Sequence, residues 1–182
     1  MANLNAAYGF LPLDPLARQN TYTIASGYAT TINLGDPVVI NGTGTGQYAQ
    51  VVIGVSGSAV TGVLAGVEYT DANGVVQFSK NWPASTVATN IRALVWDGIN
   101  ERFKAQANGS VAVTDYGRVA NFATGTGTQG LSGYTVDASS FSAGTDFQVI
   151  GGFNQVNNAT GNYEQLIGYF ALQTLNYPHT AV

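Results

Sequence analysis

The chain has 182 residues, 45% of them hydrophobic, which is enough for one domain with a real core. Only 9% are charged, where an ordinary soluble protein has about 25%. The net charge of −4 argues against nucleic-acid binding, which needs a basic face, and the absence of cysteine excludes disulfides, thiolate metal sites and cysteine nucleophiles.

Residues 1–28 read as an extended N-terminal arm. Gly9, Pro12, Pro15 and Gly27 interrupt every periodicity, and proline enforces extended or turn geometry. The arm nevertheless carries Tyr8, Phe10, Leu11, Leu13, Leu16 and Tyr22, too apolar a set for a disordered tail. Two placements are open. The arm either completes the core of its own domain, or it docks on a neighbour through these six residues. The segment MANLNAAYGFLPLDP has neither a basic nor a long apolar stretch. Synthesis in the cytoplasm is therefore expected, with no membrane segment.

Residues 29–173 read as short strands separated by turn signals, and 174–182 as a tail. LGDPVVI and QYAQVVI come first, followed by AVTGVLAGVEY. Asn73-Gly74 and Asn108-Gly109 are hairpin signals, since both residue types accept the positive φ of a type I′ turn. Asp97-Gly98 turns IRALVW into ERFKAQA. Only Pro83–Ala88 and Asp137–Ala143 suit short helical turns. In YEQLIGYFALQ, Leu166, Gly168, Phe170 and Leu172 share one face and Ile167, Tyr169 and Ala171 the other, which predicts a doubly covered central strand or an interface strand. About ten such strands at even spacing predict an all-β domain, a single barrel or a sandwich. NGTGTGQ at 41–47 and TGTGTQG at 124–130 read as exposed loop tips.

Sites of chemistry are sparse. Gly125, Gly127 and Gly130 match a dinucleotide fingerprint, with Asp146 at the distance of a ribose-binding acid, but LSGYTVD follows where a helix would have to begin. His179 is the single histidine and lies in the tail, poorly placed for a triad or a metal. Most acids have turn contexts: Asp14 and Asp36 precede proline, Asp97 precedes glycine, and Asp71 adjoins the Asn73-Gly74 turn. Glu68, Glu101 and Glu164 fall on strands, where an outward solvated face is expected. A paired-carboxylate glycosidase is thus disfavoured, and the expectation is a non-enzymatic protein without cofactor or metal. Trp96 reads as core. Trp82, before Pro83, reads as a turn residue that could be exposed and stack on a sugar. Three glycosylation sequons, beginning at Asn41, Asn108 and Asn158, read as turns. Five of the six basic residues lie between Lys80 and Arg118, interleaved with Asp97, Glu101 and Asp115. This is either a solvated pair of strands or a set of salt bridges to a partner.

The order of several segments resembles a family of tailed-phage capsid decoration (cement) proteins. They are LGDPVVI at 34–40, GVLAGVEY at 62–69, FKAQANGSVAVTDYGRVANFATG at 103–125, GLSGYTVDASS at 130–140 and FQVIGGFNQVNNATGNYEQLIGYF at 147–170. In the family these correspond to a GDPV strand start, a G-V-x-x-G strand, an F-x-x-Q-x-x-G hairpin leading to a D-x-G turn, a T-G-x-S-G-like loop with an acid-led short helix, and a strand pair joined by an Asn-rich turn. The similarity covers roughly residues 30–170. The chain departs from the family at WDGINER, where an acidic segment is common, and at its uncharged end. The resemblance implies a structural protein on the exterior of the virion that binds the major capsid protein and bridges capsomers. It also implies self-association, as a homotrimer or alternatively a dimer. The alternatives are a particle-displayed carbohydrate-binding or adhesion module and, less favoured, a cell-wall glycosidase.

Overall fold

Valine, isoleucine, threonine and the aromatics fill the pairing segments, while glycine and Asn-Gly or Asp-Pro steps fill the gaps between them. The computed structural model describes residues 3–42 and 46–174. Most of its strands are short, Gly62–Thr70 and Thr89–Trp96 being the longest at 9 and 8 residues, and every ladder between them is antiparallel. The five-stranded sheet has the order β1 (Leu11–Pro12), β8 (Phe103–Gln106), β13 (Gln165–Phe170), β12 (Phe147–Gly152) and β9 (Val119–Ala120). The six-stranded sheet has the order β2 (Gln19–Tyr22), β7 (Thr89–Trp96), β5 (Gly62–Thr70), β3 (Pro37–Ile40) and β4 (Val51–Ile53), with β6 (Val76–Ser79) beside β5. A small ladder joins β10 (Phe122–Ala123) to β11 (Thr135–Val136).

Of the two architectures open to the sequence, the protein adopts the sandwich. The six-stranded sheet curls far enough for Thr23, just past β2, to bridge Gln50, just before β4. One bridge is not a ladder, and no closed barrel forms. Two cores result. The first is aromatic: Phe10 lies 5.0 Å from Phe170 and 5.2 Å from Phe147, ring centre to ring centre, at tilts that favour ring quadrupoles over stacking. The second joins Val38, Val51, Leu64, Val67, Ala93 and Val95 of the six-stranded sheet to Ile24, Ile32 and Trp82 of the loops that cover it. β5 serves both cores, with Val63 in the first and Leu64 in the second.

Residues 3–28 run from one sheet of the sandwich to the other. β1 lies on the edge of one sheet and β2 on the edge of the other, joined by a turn at Asp14–Ala17 in which the Ala17 N–H donates to the Asp14 carbonyl at 3.1 Å. Gly9 takes a positive φ of 75°. A side chain there would collide with Ser132 and the Gly35 carbonyl, so the close passage of the arm over this point requires glycine.

Several expectations are corrected. Pro83–Ala88 and Asp137–Ala143 form no helix. Ser85 has a φ of 59°, which ends any helical turn, and the second segment is two successive turns, Ser140 N–H to the Asp137 carbonyl and Ala143 N–H to the Ser140 carbonyl. The one helical element lying wholly within the described residues is a 3-10 turn at Val113–Asp115. Asn73-Gly74 does close the β5–β6 hairpin, but only Gly74 takes a positive φ, of 80°. The turn is longer than a two-residue type I′ loop because the Asp71 carboxylate accepts the N–H groups of Asn73 and Val75. Asn108-Gly109 makes no hairpin. The Asn108 side chain instead accepts the Ala138 N–H at 2.9 Å, tying its segment to the 137–140 turn. Asp97-Gly98 does turn the chain, but from β7 in one sheet to β8 in the other. Trp82 is fully buried, because its backbone pairs with Ile32 and its ring packs edge-on against Tyr69.

Candidate interaction surface

β13 is the central strand of the five-stranded sheet, and its inner face (Leu166, Gly168, Phe170) is buried. Its outer face is not covered in the same way: Gln165, Ile167 and Tyr169 remain half-buried. Strand register extends this face sideways. Leu11, Lys104, Ile167 and Gly151 form one cross-strand row, and Val119, Gln148 and Tyr169 form another. Ile150 stands at the bulge between Val149 and Gly151 and is exposed. The five strands contain no aspartate or glutamate, and Lys104 is their only charged residue.

The N-terminal segment builds one end of this face. The Tyr8 hydroxyl donates to Gln165 Oε1 at 3.0 Å. The Lys104 ammonium lies over two rings, 5.5 Å from the centre of Tyr8 and 5.4 Å from that of Phe153. Both distances suit cation–π attraction. Gln106 is buried and substitutes for a paired strand: its Nε2 donates to the carbonyls of Leu4 and Tyr163, and its Oε1 accepts the Ala6 N–H. Asn3 reaches further, donating to the carbonyls of Ala159 and Asn162. Burial raises the Tyr8 phenol well above its ordinary value, so this ring stays neutral at any physiological pH.

The six apolar arm residues fall into different environments. Phe10 is fully buried in the first core, and Tyr22 is buried with its hydroxyl donating to Asp97 Oδ2 at 2.7 Å. Both complete the core of their own domain. Tyr8 and Leu11 contribute to the outer face, Leu13 is half-buried, and Leu16 is 89% exposed at the Asp14–Ala17 turn.

The acids are dispersed. Asp97, Asp146 and Glu164 are buried, and each ties distant segments together. Asp97 accepts from Arg18, Asn20 and Tyr22. Asp146 accepts the Ser56 hydroxyl and the N–H groups of Gly57 and Phe122, joining the loop after β4 to β10. Glu164, expected on a solvated face, is 1% exposed because the Tyr116 hydroxyl donates to it at 2.6 Å and the Gly161 N–H also reaches it. Asp36 is buried at the start of β3, and burial raises its carboxyl to about 6 even though the Asn33 N–H donates to it. Glu68 lies outward as expected, 3.9 Å from Arg92. Glu101 is half-buried in the loop before β8.

The remaining motifs serve the fold. Gly125 and Gly127 pack closely against Gly133, Leu131 and Asn33, and Gly130 takes a positive φ of 79° in a loop with no helix after it. Trp96 is half-buried against the first core. Asn158 closes the loop between β12 and β13 by donating to the carbonyls of Phe153 and Gln165 and accepting the Gln165 N–H. Among the described residues, no group of three histidine, cysteine or acidic side chains could hold a metal, and no helix is long and apolar enough to cross a membrane. His179 and all of the tail except Thr174 lie outside the described residues, as do residues 43–45 of the first glycine-rich loop. The outer face was foreshadowed by the apolar residues on both sides of 165–170. The burial of Asp146 and Glu164 had no local signal.

Comparison with protein-family models, with curated proteins and with solved structures finds no match for the chain.

Proposed function

We propose that the protein is a structural decoration (cement) protein of a tailed-phage capsid, docking non-enzymatically on the outside of the assembled shell and bridging its subunits. The observation that carries this reading is the half-exposed, acid-free outer face of the five-stranded sheet, on a chain with very few charges. Covering such a face removes apolar area from water at little cost in ion hydration. The resemblance of the segment order to the decoration family points the same way. A protein that binds only the assembled lattice stabilises it by mass action, and many weak contacts become tight when copies are held close together. Closed symmetry is the default for clustered copies, and a trimer is the first expectation, with a dimer as the alternative.

The carbohydrate alternative loses Trp82 as a stacking platform, because that ring is buried. Quantitative mass spectrometry of purified particles tests the proposal. About one copy per capsid subunit is expected; a few copies per particle, or none, would overturn it.

A further inference from the structure

We infer that the outer face of the five-stranded sheet docks on a protein surface that presents a carboxylate to Lys104 within an apolar surround, an inference that rests on the capsid-docking reading. The chain as a whole is acidic, yet this face is not. None of its five strands carries an acid, and the two acids that directly precede its strands, Asp146 before β12 and Glu164 before β13, are buried and engaged by internal donors. Three of the six basic residues form internal pairs: Arg18 with Asp97, Arg92 with Glu68, and Arg118 with Asp115. Lys104 has no such pair among the described residues and sits within the face, beside Leu11 and Ile167.

Charge complementarity selects the occupant. Nucleic acid requires many cations along a track of phosphates, and one lysine in an apolar field does not supply them. An anionic membrane is recognised by clusters of about four to eight basic residues. A single cation ringed by leucine, isoleucine and tyrosine matches a folded protein surface with one acid in an apolar setting, where the pair is shielded from water once docked. Cation–π contact of the ammonium with the rings of Tyr8 and Phe153, at 5.5 and 5.4 Å, restricts the long lysine chain before docking. Little side-chain freedom is then left to lose on binding.

The test uses the full chain and particles made by a phage genome from which this chain has been deleted, with bound protein measured by co-sedimentation over a concentration series. Lys104→Met keeps an unbranched apolar stem beside the two rings; Lys104→Arg keeps the charge. Thermal unfolding of both variants checks that the fold is retained. The expected result is roughly a tenfold or greater loss of affinity for Lys104→Met, with Lys104→Arg within a few-fold of the parent. The parent's affinity should also fall with added salt more steeply than that of Lys104→Met. If the parent binds and Lys104→Met binds equally well with the same salt dependence, the carboxylate inference is overturned while capsid docking stands. If the parent does not bind, the capsid reading falls and the inference falls with it. Should Lys104→Met unfold, Ile150→Asp, which places an acid on the same face at an exposed position, is expected to abolish binding, and unchanged binding would overturn the inference.

Discussion

The two sheets handle their outer surfaces differently. The six-stranded sheet carries one acid and one base on its strands, Glu68 and Arg92, and pairs them with each other across β5 and β7. Its inner face is covered by its own loops through Ile24, Ile32 and Trp82. The five-stranded sheet carries a lone base, no acid, and an outer face covered only at one end, by the N-terminal segment. The six-stranded sheet pairs its own acid and base while exposing Val76, Phe78 and Leu94, so the two sheets differ in how charge is handled rather than in exposed apolar area. The docking proposed for the five-stranded sheet rests on that difference in charge.

The largest test of this contrast is Phe10→Ala. The ring is the arm's anchor in the aromatic core, and removing it should destabilise the protein by about 3–5 kcal/mol, read as a lower midpoint in urea unfolding. A change below about 1 kcal/mol would mean that the first core does not depend on the arm.

Next is the pH dependence at Asp36. Its folded-state carboxyl titrates at about 6, above the ordinary 3.8, so the folded protein holds the proton more tightly than the unfolded chain. This contribution is fully present below the ordinary value and is lost as pH rises through about 6. Asp36→Asn should therefore gain stability relative to the parent by about 2–3 kcal/mol between pH 4 and pH 7, measured as the difference between their urea-unfolding curves. A constant difference across that range would refute the assignment.

Asp97→Ala should cost about 2 kcal/mol, since it leaves the buried Tyr22 hydroxyl unpartnered and unties β2 from the end of β7; much of the Arg18 side chain is exposed, which moderates the loss. Smallest is Glu68→Gln, which removes half of a solvent-screened pair. It should change stability by less than about 1 kcal/mol and leave particle binding unaltered, in contrast to the changes at Lys104. A binding loss at Glu68 as large as at Lys104 would erase the distinction between the two sheets.

Strand alternation and turn chemistry act over a few residues, so the all-β class, the Asn73-Gly74 hairpin and the two-faced apolar pattern of 165–170 were legible along the chain. The errors share a cause. Trp82 before Pro83 and Glu164 beside a strand look like surface residues locally; what buries them is Ile32 and Tyr69 in one case and Tyr116 in the other, all far away in sequence. Asn108-Gly109 has the composition of a turn, yet its side chain is engaged by the 137–140 segment. The candidate surface was half visible: Ile167 and Tyr169 were assigned to a shared face, but the absence of acids across five separate strands emerges only when those strands are set side by side.

The sequence alone determined the β class, the scarcity of charge and the absence of cysteine chemistry, because composition and short-range periodicity are local properties. The tertiary structure decided that the chain closes as a sandwich rather than a barrel, and that Phe10 and Tyr22 turn inward while Tyr8 and Leu11 help form an outer face. It also decided which carboxylates are buried. Those outcomes depend on pairings between residues many tens of positions apart, whose register no local pattern specifies.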